Sequence, residues 1–199
     1  KTRRSTLQLT TEIRSFLWEV IDEFSGRKDN HSKLLRMVTL ICRVGLPWKD
    51  IIAKPNIEFI LEAEVARVDA DTLVDFLSAM SMSGARASTV KFKATLLNKL
   101  AETMPRMSAL NLVRSLNSLA LVSVSWQQVP VALRRHIMNK LVSISSQLSS
   151  SQGSALIWSL GMMGVSKNDI TLSQLKALLN SVGYSLGTSS DVVACLGQC

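Results

Sequence analysis

The feature that most constrains this chain is a pattern that returns. Ser154 to Val165, SALIWSLGMMGV, places Leu156, Leu160 and Met163 at i, i+4 and i+7, the stripe that one face of an α-helix buries, and puts Gly164 where such a helix stops. Degenerate copies recur at intervals of about forty residues. Aligned first helices put Arg36, Asp75, Arg114, Trp158 and Ala194 in one register, with separations of 39, 39, 44 and 36. Second helices align through Leu96-Leu97-Asn98, Ile137-Met138-Asn139 and Leu178-Leu179-Asn180, separated by 41 and 41, with Leu100, Leu141 and Val182 at one later offset. A unit of about forty residues cannot bury its own apolar face, so neighbours must stack into a continuous core. The expected fold is all-α, an α-solenoid of tandem helix-turn-helix repeats of about 36–44 residues. One helical-repeat domain is expected over residues 1–199. It has an N-terminal helix within 1–30, repeats at 31–69, 70–106, 107–149 and 150–186, and the start of another at 187–199.

Taken in order, Ile13, Phe16, Leu17, Val20, Ile21 and Phe24 predict an amphipathic helix over 11–24, capped by Thr10 or Thr11. The turn SGRKDN leads to a helix over 31–44 that stops at Gly45, and Leu46, Pro47 and Trp48 form a connection. Pro55 starts a helix carrying Ile57, Ile60, Leu61 and Val65, because a proline at the first helical position loses no hydrogen bond. Asp71 or Thr72 caps the next, with Leu73, Phe76, Leu77 and Met80 on one side and a break near Gly84. Helices are then expected at 90–104, ended by Pro105, and at 110–122, 130–148, 152–163 and 171–182, with Trp126 in a loop. Ser189 to Cys199 begins one more. The alternation in LVSVS at 121–125 is a weak strand signal, flanked by helical periods and paired by no hairpin turn. Leu116, Leu141, Leu160, Met163 and Trp158 are expected in the core or between repeats.

With 47% of its residues hydrophobic and 19% charged, the chain can bury a core and is not a disordered tail. No apolar run approaches the roughly 18 residues of a membrane span. Three cysteines, Cys42, Cys195 and Cys199, are too few and too irregular for a disulfide framework, which fits a reducing compartment. The opening KTRRSTLQLTTE is basic and rich in hydroxyl residues. This fits the stub left after an organellar presequence is removed, and equally an arbitrary chain boundary.

The formal charge of +8 is uneven. Residues 1–75 hold 12 Lys or Arg and 12 Asp or Glu, whereas residues 76–199 hold 11 basic residues and only Glu102, Asp169 and Asp191 as acids. The basic part is the candidate for an anionic partner. Its second helices supply Lys91, Lys93 and Lys99, then Arg134, Arg135 and Lys140, with Arg86, Arg106 and Lys176 nearby. On the helix over 110–122, Asn111, Arg114 and Ser118 lie opposite Leu112, Leu116 and Leu119, a face that lines a groove or simply meets solvent. The ten aromatic residues fall mostly at apolar periodic positions, so base stacking is not the expected mode. Cys195 and Cys199 stand at i, i+4, but a metal would need two more ligands, and neither His31 nor His136 has partner spacing. No metal or cofactor is expected. No Gly-rich phosphate loop, carboxylate pair or nucleophile motif suggests an enzyme.

SALIWSLGMMGV resembles the first-helix signature of the octotricopeptide and heptatricopeptide repeats, and of the related repeats in FAST-kinase-like and RAP-domain proteins. In those repeats a Leu-Trp-Ala-Leu segment ends in Leu-Gly. Trp158, Leu160, Met163 and Gly164 match best, while Leu116 and Leu119 match with Arg114 in the Trp position and Ala120 in the Gly position. The resemblance covers roughly residues 31–199. It implies a non-enzymatic RNA-binding solenoid of an organelle, the mitochondrion foremost and the chloroplast as alternative. Such a protein acts on transcripts or ribosomal RNA, in some cases as a ribosomal subunit among other proteins. The alternative is a protein-binding scaffold of armadillo or HEAT type with an acidic partner. The apolar helix at the C-terminal end is expected to meet further chain or a partner stacked on it.

Overall fold

Among the described residues, four helices end in the same hydrogen-bonded turn. The computed structural model describes residues 11–26 and 31–183. Its helices are α1 (Thr11–Gly26), α2 (His31–Val44), α3 (Trp48–Ile51), α4 (Ile57–Val65), α5 (Ala70–Met82), α6 (Lys93–Thr103), α7 (Ala109–Leu121), α8 (Val131–Ile144), α9 (Ser150–Met162) and α10 (Leu172–Ser181). Among the described residues there is no strand, so 121–125 is not one. After α2, α5, α7 and α9 the backbone turns left-handed at Gly45, Gly84, Ser123 and Gly164, with φ of 104°, 80°, 66° and 80°. The next N–H reaches back to the helix, from Leu46 to the Ile41 carbonyl at 3.2 Å, Ala85 to Met80 at 3.1 Å, Val124 to Leu119 at 3.0 Å and Val165 to Leu160 at 3.0 Å. These bonds satisfy carbonyls that a helix end leaves open. Four residues later a second bond closes each connection, from Asp50 to Pro47, Thr89 to Arg86, Gln128 to Ser125 and Asp169 to Ser166.

These turns recur at separations of 39, 39 and 41, which revises the fourth first helix. Ala155, not Trp158, shares the register of Arg36, Asp75 and Arg114, and Trp158 corresponds to Asn117. Trp158 is 46% exposed and is not core, whereas Leu156, Leu160 and Met163 are buried as expected. It stands two residues, about 200° of helix, from Leu156 and so leaves the buried stripe.

The chain divides into two compact units at Leu100 and Ala101. In the first, α1, α4 and α5 pack on α2. Trp48, expected in a connection, opens α3 and is buried, with its ring centroid 6.3 Å from Phe76 and 6.4 Å from Phe92. The Trp48 backbone N–H donates to the Ser83 carbonyl at 2.9 Å, tying the end of one hairpin's first helix to the next. The α1 stripe narrows: Ile21 is fully buried, but Ile13 and Phe16 are exposed. Three helix starts differ from expectation. Helix α4 begins at Ile57 behind a left-handed Asn56 (φ 63°), and not at Pro55. Asp69, and not Asp71 or Thr72, caps α5, accepting from the Thr72 N–H at 2.8 Å. Val90 and Phe92 pack in the turn before α6 instead of within a helix. The cap at Thr10 or Thr11, most of the SGRKDN turn and the helix from Ser189 lie outside the described residues.

In the second unit α7 packs on α9, and α10 on α8 and α9. Leu112, Leu116, Leu119, Leu133, Ile137 and Leu141 are fully buried. Trp126, in a short 3-10 turn rather than a loop, is buried, and its backbone N–H donates to the Met163 carbonyl at 2.6 Å. This repeats the bond between Trp48 and Ser83. Ser108, Ser149 and Thr171 cap α7, α9 and α10, the last two in reciprocal boxes with Gln152 and Gln174. Gly153 lets α9 approach the end of α10, since a Cβ there would lie 3.1 Å from the Ser181 carbonyl carbon and 3.0 Å from Val182 Cγ1.

Candidate nucleic-acid interface

Eleven polar residues carry the sequence-based expectation of an anionic partner, four in the first unit and seven in the second. Arg86 lies exposed in the turn after α5, where Thr89 closes onto its backbone. Lys91 is already paired: its ammonium is 2.8 Å from Glu58 Oε2, a carboxylate whose side chain is only 13% exposed. That corrects the reading of this basic cluster as nearly free of acidic neighbours. Glu62, on the same helix as Glu58, accepts from Thr95 Oγ1 at 2.6 Å. Lys93 and Lys99 sit half-buried on α6.

In the second unit, Lys140 turns inward along its own surface. Its Nζ donates to the carbonyls of Met104 at 3.0 Å and Pro105 at 2.8 Å, and loss of hydration holds its pKa below the usual lysine value. It acts as a cap on a helical end, with at most one ammonium proton left for a ligand. Asn111 and Arg114 are half-buried on α7, but Ser118, expected on the same solvent face, is 3% exposed. Ser118 lies on the buried side of α7, the helix that packs on α9. Arg106, Arg135 and Lys176 are exposed.

Arg134 and Arg135 are brought together with other donors. They line a groove of ≈ 340 Å³ between α8 and the start of α10, with Asn139, Thr171, Gln174 and Trp126. Arg134 Nε is buried without a hydrogen-bond partner in the protein. The groove holds one carboxylate, Asp169. Hydrogen bonds from the Ser166 hydroxyl at 2.7 Å and N–H at 2.9 Å hold it below the usual carboxylate range, helped by Trp126 and the Arg134 charge, against loss of hydration. Asp169 is therefore ionised at neutral pH and is occupied in closing its turn. Two guanidinium groups against one carboxylate leave the groove net cationic, with planar donors suited to phosphate oxygens.

Sequence reasoning missed Asn139, Thr171 and Gln174 as groove residues. Asn139 stands four residues after Arg135 on α8, a spacing that signals a shared helix face. Thr171 and Gln174 have a signal only as a capping box, and the fold alone sets them opposite α8.

A second surface runs along the first helices. On α7 and α9, Leu110, Leu121, Trp158 and Met162 are 50%, 41%, 46% and 58% exposed, next to Arg114 and Asn117 in the same column. The corresponding column of α2 and α5 lines a groove of ≈ 320 Å³ with Arg36, Arg43, Asp71 and Asp75, where Arg43 Nη2 lies 3.2 Å from Asp75 Oδ1.

Among the described residues no group of three or more His, Cys, Asp or Glu side chains is placed to hold a metal ion. No described helix is long and apolar enough to cross a membrane. His136 is exposed on α8. Comparison with protein-family models, with curated proteins and with solved structures finds no match to this chain.

Proposed function

We propose that this chain is a non-enzymatic RNA-binding helical-repeat protein whose hairpins stack as an α-solenoid. The observation that carries the reading is the cationic groove of Arg134 and Arg135 with Asn139, Thr171 and Gln174. Guanidinium groups bind phosphate as paired donors, and amide and hydroxyl groups add hydrogen bonds to sugar or base edges. The exposed Trp158 on α9 offers a stacking platform, and the matching column of α7 carries Arg114 and Asn117. The repeat signature supports a place among organellar, foremost mitochondrial, proteins that bind transcripts or ribosomal RNA within a ribonucleoprotein. The apolar share of that face, from Leu110, Leu121 and Met162, favours a second reading, a scaffold for an acidic protein.

Titration of single-stranded RNA against salt separates the two. With about six phosphate contacts the log–log slope of affinity against salt is near −4, and replacing Arg134 and Arg135 by Gln makes it shallower by about 1.4. A slope near zero removes the RNA reading. A normal slope that ignores both substitutions moves the interface away from the groove. Retention of cellular partners after nuclease treatment supports the scaffold instead.

A further inference from the structure

The hairpin of α9 and α10 carries an open apolar groove of ≈ 530 Å³, lined by Ile157, Leu160, Ile170, Leu175 and Leu179. Its described lining holds one charged group, Lys167, which is exposed, and no carboxylate. Ile157 and Leu179 are half-buried, although their equivalents 41 residues earlier, Leu116 and Met138, are buried where α9 packs on α7 and α10 on α8. The groove thus offers the side chains of a helix-packing surface to solvent.

A helix that suits this groove is present on the same chain. Helix α1 packs on α2 and buries Ile21. Another flank of α1 is closed by Lys54, in the turn before α4, whose ammonium lies 2.6 Å from Asp22 Oδ2 and 5.3 Å from the centre of the Trp18 ring. At about 100° of helix per residue, Ile13 stands opposite Asp22 and Phe16 nearly opposite Trp18. Both are exposed, Phe16 at 63%. Glu12 and Glu19, four residues before Phe16 and three after it, share its face and are exposed as well. This flank of α1 is therefore an apolar stripe between carboxylates, the complement of an apolar groove whose charge is a lysine.

We infer that α1 of one copy of this chain docks in the α9–α10 groove of a second copy, with Phe16 entering beside Leu175 and Leu179 and the Glu12 or Glu19 carboxylate meeting Lys167. A second copy is favoured over a foreign helix by this pairing of apolar surface and charge, which one sequence supplies on both sides. The two surfaces differ, so the contact is heterologous, and each copy in a pair keeps one unused surface to which a further copy adds head to tail. The contact goes beyond RNA binding and uses neither Arg134 nor Arg135, so nuclease-treated protein is used to test it.

Sedimentation velocity of the full chain decides it. The weight-average mass is expected to rise across roughly 10 μM to 1 mM, the range of small, transient contacts. A monomer throughout overturns the proposal. Phe16→Glu leaves the groove intact and Leu175→Glu leaves α1 intact. Each is expected to weaken self-association at least tenfold, while the helical circular-dichroism signal stays within a few per cent of the parent. Mixing the two variants is expected to restore a single contact and stop at an equimolar heterodimer, because one supplies the groove and the other the helix. Lys167→Glu, at an exposed position, is expected to weaken association about fivefold and takes the place of Leu175→Glu in the mixture if that variant unfolds. Association undiminished in Phe16→Glu overturns the proposal, as does a mixture that stays monomeric.

Discussion

The α2–α5 face of the first unit and the α7–α9 face of the second present equivalent helix positions with different chemistry. In the first, Arg36 and Arg43 share a groove with Asp71 and Asp75, and Arg43 forms an ion pair with Asp75. In the second, the matching columns hold Arg114 with Leu121, Trp158 and Met162. Beneath both faces the core repeats: Leu73, Leu77 and Met80 of α5 and Leu112, Leu116 and Leu119 of α7 are all buried at one register. Packing between hairpins constrains the inward columns alone, so the outward columns are free to diverge. A function specific to the second unit therefore has to be sought in its outward residues. Exposed pairs such as Lys54 with Asp22, 2.6 Å apart, add little stability, and their main effect is to neutralise the surface of the first unit.

The largest expected effect tests whether the two cores are equivalent. Leu77→Ala and Leu116→Ala remove matching side chains, 1% and 0% exposed, and each is expected to cost about 2–5 kcal/mol in lost burial and residual cavity. Urea unfolding of the two variants should give similar losses. If one cost several kcal/mol and the other almost nothing, the equivalence read from the turn geometry would fail.

A smaller effect separates the units at α9. Gly153 stands where α7 has Leu112, and its missing side chain admits the end of α10. Gly153→Ala is expected to destabilise by about 1–3 kcal/mol, because the new methyl overlaps Ser181 Oγ and crowds Val182 Cγ1 and the Ser181 carbonyl carbon. Gly161 lies on the same helix with nothing within 4 Å of an added Cβ. Gly161→Ala should therefore stabilise by about 0.5–1 kcal/mol through helix propensity. Thermal melts of the pair should move in opposite directions, and two stabilising substitutions would mean that α9 and α10 are not in close contact.

Much of this fold was legible in the sequence because helical periodicity reports the buried face directly. Leu156, Leu160 and Met163, or Leu133, Ile137 and Leu141, follow from spacing alone. The register of Trp158 did not, since sliding a helix by three residues preserves nearly the same apolar stripe. The cap of α5 was ambiguous for a different reason: Asp69, Asp71 and Thr72 are all good caps, and the choice depends on where the first turn packs. The candidate site was legible only as a charge excess. Glu58 lies 33 residues before Lys91, and the carbonyls of Met104 and Pro105 lie 36 and 35 before Lys140. Pairing across hairpins thus removed both lysines from the surplus, which no local reading of charge could foresee.

The smallest expected effect concerns pH and the caps. The first unit caps α5 with a carboxylate, whereas α7, α9 and α10 in the second are capped by the hydroxyls of Ser108, Ser149 and Thr171, which do not titrate. The backbone N–H of Thr72 holds the Asp69 carboxyl below its ordinary range, with a lesser contribution from the Arg36 charge. A carboxyl with a lower pKa folded than unfolded stabilises the fold fully above the unfolded value, near 3.9, and loses that contribution as pH falls through the folded value. Asp69→Ser keeps a cap of similar strength, so stability at pH 7 should change by less than about 0.5 kcal/mol. On acidification from pH 6 to pH 3 the variant should lose less stability than the parent, by no more than about 1 kcal/mol for so exposed a group. Asp169, also held low, keeps some acid dependence in both proteins. Urea midpoints measured at each pH decide the matter. Parallel pH profiles for the two proteins would show that the cap at α5 contributes nothing to acid sensitivity, and that the units differ in surface charge but not in how their helices begin.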